Sequence, residues 1–289
     1  MTTLFRIMGA LVIAASLSVS LGAQWPSHPT PDVPRKDGKP ILDGPAPRTP
    51  EGKVDFSGIW NRFGGGGGGG GRGRAGGGPP PPTTTADGIP LSTFGEVAGR
   101  GFALPLQPWA AELKKRRMAD NNKDNPDVWC LPIGLMQYHN HPQPRQIVQT
   151  KNLILITYES NYGLRYIYMD GRPAPNNDPT PWWFGYSRGW FEGDTLVVET
   201  TNFRGDERAG WLDVNGSPYT EALKMTERFR RPNFGTLEID VTIDDPKAYT
   251  KPFTVRVNQR IMVDQEMIEF ICNENEQSSK HIEPPKKPL

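Results

Sequence analysis

Thr236-Leu237-Glu238-Ile239-Asp240-Val241-Thr242-Ile243-Asp244 is the stretch on which the fold turns. Its apolar residues recur at every second position. Leu237, Ile239, Val241 and Ile243 therefore share one face, and Glu238, Asp240, Thr242 and Asp244 share the other. A period of two is that of a half-buried strand. A polar outer face belongs to an antiparallel sheet that is wet on one side. Upstream, Asn233-Phe234-Gly235 has the composition of a tight turn, and Met225 to Arg230 supplies the strand before it. Downstream, Phe253, Val255 and Val257 repeat the inward series while Arg256 and Arg260 face out. Acids on one strand then lie opposite bases on the next. Such cross-strand pairs contribute roughly 0.2–1 kcal/mol each and need no chemical role.

The same reading extends in both directions. Arg145 to Thr150, Leu153 to Glu159, Leu164 to Met169, Gly185 to Phe191, Thr195 to Thr200 and Met267 to Cys272 are β-type runs. Lys151-Asn152, Asn161-Tyr162-Gly163, Glu192-Gly193-Asp194 and Asp264-Gln265 separate them as turns. Arg204 to Glu221 is a longer excursion. About nine short strands joined this way form a mainly β, antiparallel up-and-down meander. It closes into a barrel or a strongly bent sheet, because closure removes exposed edges. One short N-terminal helix is expected over Pro108 to Ala119. Pro108 suits a first turn, Trp109 and Leu113 are four apart, and Asn121-Asn122 ends it. The β domain is placed at 101–275, with a flexible tail at 276–289.

Arg6, the apolar run from Ile7 to Leu21 and the small residues up to Ala23 have the three-part form of a signal peptide at 1–23. The alternative is an uncleaved anchor, but the run is short for a span. Residues 24–100 read as a disordered Pro- and Gly-rich leader, with glycines at 64–71 and prolines at 79–82. Within it, Val54 to Trp60 reads as an isolated strand that needs a partner in the main domain. The glycine run lacks the flanking strand, helix and Lys-Ser/Thr of a phosphate loop.

Lys and Arg total 33 against 32 Asp and Glu, and loss of the signal removes Arg6, leaving a formally neutral chain. Nothing in that balance points to nucleic acid. Lys114-Lys115-Arg116-Arg117 reads as one solvated helix face. The two cysteines, Cys130 and Cys272, are expected to form a disulfide in an exported chain, two buried thiols being the alternative. The location expected is periplasmic or extracellular, with no membrane span in the mature protein.

Two resemblances add to this. Gly58-Ile59-Trp60, after Phe56, resembles the Gly-x-Trp opening of lipocalins, which implies a small-molecule-binding barrel with the Trp plugging its closed end. Cys130-Leu131-Pro132, Tyr168-Met169-Asp170-Gly171-Arg172, Trp190 to Val198, Glu227-Arg228-Phe229-Arg230 and Asp245 to Pro252 are similar to motifs of an uncharacterised family of secreted soil-bacterial proteins. That second resemblance implies no functional residue.

Candidate chemistry is sparse. His139-Asn140-His141 is the one metal-like spacing, but residues 142–146 hold two prolines and no carboxylate, so the segment reads as a polar loop and no metal and no cofactor are expected. Asp245-Pro246 reads as a turn. Tyr158, Arg165, Tyr166, Tyr168, Trp182, Trp183 and Tyr186 crowd into one stretch, either as barrel core or as a pocket for a planar, sugar-like or anionic molecule. If Tyr166 and Tyr168 point outward, Arg165 points inward and needs a partner, either an acid such as Glu227 or an anionic ligand. The expected ligand-binding set is thus Tyr158, Arg165, Trp182, Trp183 and Glu227. The functions in view are a small-molecule-binding barrel, a hydrolase or isomerase on the same scaffold, and an envelope interaction module.

Overall fold

The computed structural model describes residues 29–62, 83–175, 180–274, 277 and 281. The expected signal peptide, the glycine and proline tracts and most of the tail lie outside the described residues. A two-residue hairpin, β1 (Arg35–Lys36) and β2 (Lys39–Pro40), precedes the main sheet. That sheet is built from β3 (Gly58–Arg62), β4 (Arg145–Gln149), β5 (Leu153–Tyr158), β6 (Leu164–Tyr168) and β7 (Tyr186–Glu192). It continues through β8 (Thr195–Thr201), β9 (Lys224–Asn233), β10 (Thr236–Asp244) and β11 (Phe253–Met262). These nine close into a barrel in chain order, β11 returning to β3.

Alternation places the side chains as the sequence requires. Leu237, Ile239, Val241, Ile243, Val255 and Val257 fill the core, while Arg230, Glu238, Asp240 and Arg256 form an ion-pair ladder outside. Strand direction cannot alternate all round a ring of nine, so one neighbouring pair must be parallel. That pair is β6 and β7, in register only at Ile167↔Ser187 and Tyr168↔Arg188. The up-and-down pattern is broken there.

The isolated strand finds its place as β3, pairing with both β11 and β4. Trp60 is fully buried, its indole N–H donates to the Phe56 carbonyl at 2.9 Å, and Arg231 lies over its ring. β3 fills the seat that a strand at Met267 to Cys272 would have taken, and that segment is irregular. It carries Cys272 back to Cys130, and the two form a disulfide.

Three expectations need correction. Residues 29–62 and 83–100 are not a disordered leader. Phe234 and Gly235 donate to the carbonyls of Gly44 and Leu42, Arg256 donates to that of Pro90, and Val54, Phe56 and Val97 are buried. Averaged composition hides the few apolar residues and backbone groups that do this. The helix α1 (Pro108–Ala119) forms as expected, but its basic run is not wholly solvated. Arg117 is buried, stacks on Trp211 at 3.9 Å and donates to the carbonyls of Glu207, Gly210 and Gly216. Finally, the His-rich segment is a second short helix, α2 (Leu135–Asn140), rather than a loop.

Candidate functional site

On β6 the pleat turns Leu164 and Tyr166 outward and Arg165 inward, where Arg165 is 1 % exposed. A guanidinium at that depth needs every donor answered. Glu227, inward on β9, receives both of its terminal nitrogens, one at 3.0 Å and the other closer still. Ser187 accepts from Nε at 3.0 Å and Thr200 from the second terminal nitrogen at 2.9 Å.

The other Glu227 contact comes from α2. Gly134 precedes this helix at a point where a Cβ would lie 2.0 Å from the Trp211 carbonyl oxygen, so a side chain there would push the helix away. At its other end, Arg145 and Gln259 both donate to the His139 carbonyl, at 2.7 and 3.1 Å. These contacts satisfy a helix-end acceptor. His139 Nε2 meets Glu227 Oε1 at 2.6 Å. Burial alone raises the Glu227 carboxyl, but the Arg165 charge and the His139 hydrogen bond outweigh it and bring it from 4.5 down to about 2. Burial pushes His139 below its ordinary 6.5 despite the pull of Glu227. A neutral imidazole here donates its Nε2 proton to the carboxylate and leaves Nδ1 a buried acceptor with no hydrogen-bond partner among the described residues.

Outside this cluster a cleft of about 350 Å³ separates β6 from residues 181–187. It exists because β6 and β7 share only two ladder positions, so 182–186 runs past 164–166 without pairing. Gly185 makes the turn, at φ +62°, with no room for a Cβ beside Thr200 and the Thr201 carbonyl. Trp182 is fixed by backbone bonds to Asn202 and Arg204, and Arg204 lies over the Trp183 ring at 4.9 Å. Arg165, Trp182 and Trp183 all line this cleft, together with Tyr166, Tyr168 and Tyr186. Tyr158 and Glu227 do not. Phe184 stands between, its ring 5.3 Å from Tyr138 and 6.3 Å from Tyr158.

Comparison of the chain with protein-family models, with curated proteins and with solved structures returns no match. The site therefore rests on its own geometry.

His139 and His141 do not converge: the second is buried near Asp127, 3.5 Å away. Among the described residues no three or more His, Cys, Asp or Glu are gathered as metal ligands. Asp245 is a buried turn residue accepting from Thr220, Lys247 and Ala248. Sequence reasoning missed the roles of His139, Ser187 and Thr200. Alternation on β7 and β8 marks the last two as inward polar residues, whereas a helix at Leu135 carries no comparable local signal.

Proposed function

We propose that this chain is an exported small-molecule-binding β-barrel whose ligand site is the cleft between β6 and residues 181–187. One observation carries the reading: Trp182, Trp183 and Arg165, far apart in environment, line a single cavity with three tyrosines. An apolar, aromatic recess with a few placed polar groups is the usual form of such a site. The disulfide supports export to the periplasm or beyond. Among the described residues no helix is long and apolar enough to cross a membrane.

Mass spectrometry of small molecules released from the natively exported protein identifies the ligand. Adding it back to stripped protein should change tryptophan emission, and the change should vanish when Trp182 and Trp183 are both replaced by Phe. A response that survives this double replacement places the ligand elsewhere and ends the reading.

A further inference from the structure

We propose that the cleft is the deep end of an outer strip that takes an uncharged glycan chain, an inference that rests on the cleft being a ligand site. Two independent observations lead there, one of charge and one of shape.

The arginines beside the aromatic rings are held by carboxylates. Arg165 is bound by Glu227, Arg172 by Asp170, Arg188 by Glu199 at 2.6 Å and Arg204 by Asp206 at 2.6 Å. An anionic ligand would have to displace one of these acids, and a cationic ligand one of the arginines. The three outer pairs, those of Arg172, Arg188 and Arg204, nonetheless present both donors and acceptors, which suits hydroxyl groups.

The rings themselves form a row. Tyr166 and Tyr168 lie 6.5 Å apart and within 15° of parallel, Tyr168 and Tyr186 are 5.1 Å apart, and Tyr186 and Trp182 are 5.4 Å apart. Tyr166 and Trp182 at the two ends are 46 % and 38 % exposed. The inner rings pack on one another and Arg172 lies over Tyr168 at 4.0 Å, so the exposed ring surface is at Tyr166 and Trp182, where the C–H face of a sugar packs while its hydroxyls reach sideways. A single flat aromatic molecule would cover one or two rings and leave the ion-paired rim unused. Trp190 continues the same outward face of β7, 43 % exposed and held by Glu192 at 3.1 Å. It lies four residues beyond Tyr186, about 13 Å along the strand.

The test is native electrophoresis of the full chain through gels containing hydroxyethylcellulose, xylan, mannan or dextran, with alginate as the charged control. Titration with oligosaccharides of the retarding polymer then follows. At least one neutral polymer should retard the protein and alginate should not, with binding unchanged by high salt. Affinity should rise with chain length. Tyr166→Ala and Trp182→Ala should each weaken it about tenfold, the size of one lost ring contact, while Trp182→Phe keeps most of it. Trp190→Ala should weaken long oligomers only. If no neutral polymer binds but a co-purified molecule still alters Trp182 and Trp183 emission, the strip is refuted and the cleft stands. Loss of both responses refutes both. A dimer that Trp182→Ala converts to monomer, without retardation by any glycan, assigns the rings to contact between copies and overturns the proposal.

Discussion

Removing Arg165 from the barrel interior leaves Glu227 as a buried charge with only His139 beside it. Breaking such a pair from one side costs about 3–5 kcal/mol. The depressed carboxyl gives an independent figure: a fall from 4.5 to about 2 corresponds to about 3 kcal/mol of stability at neutral pH. Arg165→Met and Glu227→Leu should each therefore cost about 3–5 kcal/mol. The double replacement should cost far less than their sum. Ser187 and Thr200 still bond each other at 2.9 Å, and the main residue of damage is the orphaned His139 N–H, about 1–3 kcal/mol. Urea unfolding followed by circular dichroism, at constant m, measures all three variants. Strict additivity in the double variant would falsify the claim that the pair is held together energetically. The pH dependence has a definite sign. The Glu227 contribution is present above 4.5 and is lost as pH falls towards about 2. Neutral His139 adds to the loss, because below 6.5 the unfolded chain takes up a proton that the folded one refuses. Acid destabilisation should therefore begin near pH 6.5 and be shallower in the double variant.

Two further outcomes follow from the packing. Gly134→Ala should shift α2 off the Trp211 carbonyl and break the His139–Glu227 contact, costing about 1–3 kcal/mol by overpacking and visible as an altered His139 titration by NMR. Cys130→Ser with Cys272→Ser should lose up to about 5 kcal/mol by the chain-entropy model. The bridge spans 142 residues, and non-reducing peptide mapping of the parent protein should recover the linked pair.

What the sequence by itself determined is what a local period can carry. The alternation in Thr236–Asp244 identifies a strand and its inward face without any knowledge of its neighbours, because side chains alternate strictly along an extended backbone. The same rule put Arg165 on the opposite face from Tyr166, while which face is inside, and with it the need for a buried partner, was settled by the barrel. Short turns then implied a meander, and two cysteines implied a bridge. Tertiary structure decided everything that depends on closure and on distant encounters. That β3 takes the ninth seat, and that β6 and β7 must run parallel, are properties of a ring and not of any one strand. Their short ladder opens the cleft that brings Trp182 beside Tyr166. Likewise Glu227 meets Arg165 and His139 across 62 and 88 residues of chain. No local pattern records such a meeting, since it is set by barrel register and by a helix seated on one glycine.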